Sequence, residues 1–315
     1  MAARQFMYGT LILILMTAML LPSALRAAET TPYRVLTSIR PATLLVTELA
    51  GNLPIRVDTL LPAGATPHDY ALSPSDLTRI RQANLLVWLG ESGEPYLRKV
   101  SAANPNRVAW AELPDLLKLP AREALHAHHG DSHDSHRHHD HGDTGIDPHI
   151  WWSVPNAILL ARTLEQQIAA ARPEWAATLQ QNRQQLEATL QRQVLDQRAR
   201  FASGFKPFLL AHDAFHYLEE DLGIQSDAAI LLDPEAKPGV KHLLELKKRV
   251  QAQNIGCVLT GVLVPGNLID KIDTDPPLLR QPMDELGWDY PGNRYSEWLQ
   301  LAYDKVAECV GLSLN

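Results

Sequence analysis

The chain reads as an α/β protein: two doubly wound parallel-sheet lobes joined by a long helical linker. Three observations predict this. Short apolar runs alternate with amphipathic stretches in the first half, and the same alternation returns in the second half. Between them, residues 155–202 carry helical periodicity with no strand signal. Strand–helix alternation implies parallel strands whose connecting helices cover both sheet faces.

The elements follow in order. Arg4, the apolar run Leu11–Leu21 and the small residues around Ala27 and Ala28 have the layout of a secretory signal peptide, assigned to residues 1–28. The apolar run is too short to cross a bilayer comfortably. In the first lobe, residues 29–154, Arg34–Ser38 reads as a strand, Arg40–Ala50 as a helix and Ile55–Leu60 as a second strand. A helix follows to about Ala83, with Ser73 or Ser75 as its cap and Pro74 in its first turn. Leu85–Leu89 is a buried-type strand.

Residues 124–145 interrupt this pattern with almost nothing apolar. They hold His126, His128, His129, His133, His136, His138, His139 and His141 out of 13 histidines in the chain. Such a stretch cannot bury enough surface to fold alone and reads as a mobile loop. Helices are expected over Pro155–Ala171 and Pro173–Phe201. In the second lobe, residues 203–315, the strands are Phe208–Ala211, Ala229–Leu232 and Cys257–Thr260. The helices there are about Ala214–Asp221, Val240–Gln253 and Ser296–Cys309.

Composition narrows the function. Apolar content of 45% and charged content of 21% describe a chain with a real core, and a net charge of −7 argues against nucleic acid as a partner. Cys257 and Cys309 are the two cysteines. In an oxidising compartment an even pair is most simply a disulfide, stabilising the second lobe by about 4 kcal/mol on the chain-entropy argument. A thiol pair that binds metal is the rival.

Four places carry chemistry. His68 lies in Gly64-Ala65-Thr66-Pro67-His68, His149 in Asp147-Pro148-His149, and His212 directly after the strand Phe208–Ala211. The fourth is the acidic stretch Met283-Asp284-Glu285. Each histidine alone is more often a locally bonded side chain than a ligand. All three, however, occupy positions beyond strand ends, where doubly wound sheets bind ligands. Three imidazoles and a carboxylate from two lobes make a four-coordinate site in the cleft, and that nitrogen-rich set suits zinc.

The segments GATPHDYALSPSD, DPHIWW followed by PNA, FLLAHDAFHYL and DPEAKPG, in this order, resemble the zinc-uptake periplasmic binding proteins of ABC transporters. The likeness covers nearly all of the mature chain, including the histidine-rich loop and the late cysteine pair. It implies a free periplasmic monomer that is a receptor and not an enzyme. Zn2+ would be held between the lobes on His68, His149 and His212 and handed to a membrane permease with a cytoplasmic ATPase. Manganese members of the wider family tend to carry a carboxylate where His212 stands.

The match loosens at the fourth ligand. Pro67 precedes the first histidine, and Gly261-Val262 follows Thr260, so neither of the acids usual in zinc members is present. Asp284 resembles a metal-binding C-terminal aspartate; water is the alternative. Glu235 is either a carboxylate that orients a ligand imidazole or an acid at a helix N-terminus. His216 is a rim residue or an auxiliary contact. The loop histidines are an antenna for metal, a sensor of surplus metal or a solvated linker. Rival functions are a receptor of the same build for manganese, nickel or copper, and a periplasmic zinc hydrolase that activates water at an open metal position.

Overall fold

The computed structural model describes residues 32–122, 145–232, 238–261 and 264–313. Among the described residues, the strands lie in two four-stranded sheets in which every pairing is parallel. The first sheet contains β1 (Tyr33–Thr37), β2 (Ile55–Thr59), β3 (Leu85–Trp88) and β4 (Arg107–Ala109), in the order β2-β1-β3-β4. The second contains β5 (Phe208–His212), β6 (Ala228–Leu231), β7 (Cys257–Thr260) and β8 (Leu279–Pro282), in the order β6-β5-β7-β8. The two orders are the same. In each sheet the first strand is interior and the chain leaves it first to one side, then to the other. That reversal opens a crevice beyond the carboxyl ends of β1 and β5.

The helices are α1 (Arg40–Ala50), α2 (Pro74–Gln82), α3 (Val154–Ala171), α4 (Ala176–Phe201), α5 (His216–Leu222), α6 (Val240–Gln253), α7 (Gly266–Asp270) and α8 (Tyr295–Cys309). Local chemistry sets several of their ends. Ser73 caps α2 in a capping box: its Oγ accepts from Asp76 N (3.3 Å) and its own N donates to Asp76 Oδ2 (2.9 Å). Ser153 caps α3 by accepting from Asn156 N (3.3 Å). Pro173, expected inside the second linking helix, instead begins a short 3-10 turn, and α4 starts three residues later.

Alternate strand residues feed two layers, as strand geometry demands. Val35, Val87, Phe208, Leu210, Cys257 and Leu259 join one continuous core shared by both sheets. Leu36, Leu86 and Trp88 pack on the outer side of the first sheet, and Leu209, Ala211 and Val258 on that of the second. The shared core includes the fully buried Trp110, Trp151 and Trp152, and Trp152 stacks on Trp298 with centroids 4.4 Å apart.

Helix α4 runs 26 residues, a length of about 39 Å. Its buried positions Leu179, Leu186, Leu190, Gln197 and Phe201 recur at alternating intervals of seven and four residues, so a single stripe faces the core. It also serves the carbonyl ends of two other helices, which otherwise lack partners. Asn182 Nδ2 donates to Leu49 O of α1 (2.9 Å). Arg198 donates to Asp221 O (2.6 Å) and Glu220 O (2.7 Å) of α5. The expected Cys257–Cys309 disulfide is present and ties β7 to the end of α8.

Candidate metal centre

His68, His149 and His212 come together. One ring nitrogen of each can be chosen so that all three lie within 4.8 Å of one another. Ring centroids stand 5.5 Å apart for His68 and His149, 6.2 Å for His68 and His212, and 5.1 Å for His149 and His212.

Each imidazole is placed by different means. His212 is the last residue of β5, with 2% of its surface exposed. Burial first, then the neighbouring His149 and His68 rings, push its pKa down to about 2, so it stands neutral and able to bind metal. Neither of its ring nitrogens has a hydrogen-bond partner among the described residues. His149, 4% exposed, precedes the 3-10 turn Ile150–Trp152. Its backbone N–H donates to Asp147 Oδ1 (2.9 Å), and its Nδ1 lies 2.7 Å from the same oxygen. With Nδ1 engaged, Nε2 is the atom left for a metal, and it too has no hydrogen-bond partner among the described residues. His68 sits on the loop between β2 and α2, half-buried, and its N–H donates to Thr66 Oγ1 (3.1 Å).

Asp147 organises this region. Burial alone would raise its carboxyl; the adjacent His149, which also hydrogen-bonds to it, and the nearby His216 outweigh that and hold it well below the usual carboxylate range. Its backbone is fixed as well, by Leu119 O (2.9 Å) and the Tyr217 hydroxyl (3.1 Å). Asp147 was not picked out from sequence. A signal was present, because an aspartate two residues before a ligand is spaced to accept that residue's N–H in an Asx turn.

The other expected residues fall differently. Asp284 is not among the donors brought together; its carboxylate accepts from Leu286 N (3.1 Å) and from Asp289 N, closing its own turn. The buried acid next to it, Glu285, faces inward instead, with Oε1 4.0 Å from His212 Nδ1. His216 Nδ1 lies 3.6 Å from Asp147 Oδ2, so it reaches the centre through that carboxylate. His212 and His216 flank a strand-to-helix turn, so they do not share the helix face that a zinc-hydrolase HxxxH pair requires. Asp213 pairs with Arg122 (3.2 Å), and burial pushes its carboxyl up to about 6 despite that partner. Glu235 and the eight loop histidines lie outside the described residues.

Residues 35–309 match the family described as ZnuA, zinc-uptake complex component A, periplasmic. The high-affinity zinc uptake system protein ZnuA of Yersinia pestis is 31% identical over 272 residues, spanning 80% of this chain and 83% of the relative. The protein of the same name from Haemophilus influenzae is 28% identical over 313 residues, spanning 88% and 92%. A crystal structure of ZnuA aligns with a TM-score of 0.71 at 21% identity, covering 89% of this chain and 99% of that one. FpvC of Pseudomonas aeruginosa, solved with Mn2+, aligns at 0.70 and 17% identity, covering 88% and 98%. At these identities the structural likeness speaks to the fold alone.

Proposed function

The chain belongs to the ZnuA family of periplasmic zinc-uptake components, and we propose that it captures Zn2+ between its sheets on His68, His149 and His212. The observation that carries this reading is the set of three imidazole nitrogens within 4.8 Å of one another, contributed by both halves of the chain. Zinc takes four ligands in a tetrahedron at about 2.0–2.1 Å from imidazole nitrogen, and a nitrogen-rich set favours it over manganese. The protein is a receptor for zinc import, and its cargo passes to an ABC-type permease and its ATPase. It acts as a monomer in the periplasm, after removal of residues 1–28. Residues 29–154 and 203–315 form the two lobes, and 155–202 the link between them.

Capture exchanges water around the ion for imidazole nitrogen. His212 is already neutral, and Asp147 holds His149 in the tautomer that presents Nε2. Asp147 also supplies negative charge one shell out, partly offsetting the incoming ion. Imidazole binds metal only when deprotonated, so affinity should fall as the pH drops through the ordinary imidazole range near 6.5. No nucleophile–base pair accompanies the cluster among the described residues; of the two acids a hydrolase could use, Asp213 faces Arg122 and Glu235 lies outside the described residues.

Calorimetry of zinc binding tests the reading, on the mature chain, on a version lacking 126–141, and on His149→Ala. One tight site that survives loop deletion and vanishes in His149→Ala is expected. Tight binding that disappears with the loop and persists in His149→Ala would place the receptor site elsewhere.

A further inference from the structure

Glu285 is 2% exposed, and its carboxylate lies beside His212 in space that only a glycine leaves open. A Cβ at Gly261 would stand 1.8 Å from Glu285 Oε1 and 2.8 Å from the carboxyl carbon. Any other residue at 261 would displace the acid. The backbone beside Glu285 is held from two sides. Its carbonyl accepts from the indole N–H of Trp151 (2.9 Å), whose ring meets His149 edge-on at 5.1 Å. The Arg40 guanidinium donates to Gly287 O (2.6 Å), Tyr290 O (2.9 Å) and Gly292 O (3.1 Å), fixing the turn that follows.

His212, for its part, is a buried imidazole with two nitrogens and no hydrogen-bond partner for either among the described residues. A buried polar group in that condition costs free energy, and a metal ion satisfies one nitrogen only. The other needs an acceptor, and Glu285 Oε1 at 4.0 Å from Nδ1 stands about 1 Å beyond hydrogen-bond reach. Glu285 is absent from the set of donors that converge within 4.8 Å, although it neighbours one of its members.

We propose that Glu285, admitted by Gly261, is the positioning carboxylate of His212: on zinc loading it accepts the Nδ1–H and leaves Nε2 for the metal. His149 and Asp147 already stand in this relation, so two of the three imidazoles would be oriented by a buried acid. A ligand imidazole whose far nitrogen is bonded to carboxylate is fixed in tautomer and ring direction and binds metal more strongly. The inference rests on the zinc reading above.

The test uses the full mature chain with Glu285→Gln, Glu285→Ala and Gly261→Ala. Zinc affinity is measured by competition with a chelator, and long-range 1H–15N NMR follows the His212 ring in the zinc-loaded protein. Glu285→Ala should weaken zinc about 10–100-fold and make the Nδ1 proton exchange rapidly with water. Gly261→Ala should do the same, and combining the two should add little, since both remove one contact. Glu285→Gln keeps the size of the side chain and so the fold; it should weaken zinc by less. Unchanged affinity and unchanged Nδ1–H exchange would overturn the proposal. So would loss of an oxygen scatterer from the zinc shell in X-ray absorption, which would make Glu285 a ligand. In either case a tight wild-type site lost in His149→Ala leaves the receptor reading standing, whereas a wild type without that site removes both.

Discussion

The two sheets share one strand order yet deliver their histidines in different ways. The first sends His68 out on the loop between β2 and α2, half-buried, with its backbone N–H donating to Thr66 Oγ1. The second ends its interior strand on His212, which is buried and held neutral by its surroundings. His149 belongs to neither sheet; it sits at the entrance to α3 with Asp147 locking its ring. One half of the centre is therefore prepared before metal arrives, and the other half supplies the ligand that water can reach. A receptor that must both catch and release an ion gains from this division, since a wholly rigid cage would exchange slowly.

The largest expected effect breaks the comparison at its prepared side. His212→Ala should abolish tight zinc binding. His68→Ala should leave a weaker site on the two prearranged rings, measurable by the same chelator competition. Equal losses in the two variants would mean that preparation counts for nothing.

Next in size is the disulfide, which cross-links the second half alone. Replacing Cys257 and Cys309 by alanine should cost about 4 kcal/mol in denaturant unfolding, given a sequence separation of 52 residues. Hydrogen exchange should show the loss in β5 and β7 before β1 and β3. A uniform loss would make the two sheets one cooperative unit.

The smallest effect concerns acid, and here the two halves carry opposite signs. Glu94, buried beside β3, is pushed up to about 7 by burial, although Ser38, Leu89 and Tyr96 hydrogen bonds pull it down. Its folded form holds a proton that the unfolded form releases above about 4.5, so acidifying from 8 to 5 adds stability through this group. His212, pushed down to about 2, stays neutral where the unfolded chain would take a proton below about 6.5, so acidifying removes stability. Thermal melts of the apo protein across this range, on wild type, Glu94→Gln and His212→Asn, should change slope in opposite directions, by at most about 1.4 kcal/mol per pH unit per group.

Much of this was legible in sequence. The interior strands, the long linking helices and the Ser73 cap are local signals: apolar runs, helical spacing and a serine before a helix. The three histidines stand out in short local motifs, but only His212 lies at a strand end; His68 is on a long loop and His149 precedes a 3-10 turn. The short strands β4 and β8 were not legible. β8 (Leu279–Arg280–Gln281–Pro282) is mostly exposed and shows no apolar alternation, so only its pairing with β7 reveals it. The choice between Asp284 and Glu285 was hidden for a related reason. Two adjacent acids look equivalent in a sequence. Which one turns inward depends on Arg40 and Trp151, more than 100 positions upstream, and on the missing side chain at 261.

The bonds that cross between the halves have a practical consequence. Leu119 N donates to the Tyr217 hydroxyl (3.0 Å), Arg122 reaches Glu219 and Asp213, Arg40 reaches the 287–292 turn, and Glu48 accepts from Ser296 N (2.9 Å). Every one of these joins a residue before position 123 to a residue after position 144. Peptide continuity across 123–144 is thus redundant for holding the particle together. A molecule severed there should persist as two non-covalent pieces, and separately produced pieces should reassemble into a zinc-competent whole, which makes this stretch the natural place to split the protein for a complementation sensor.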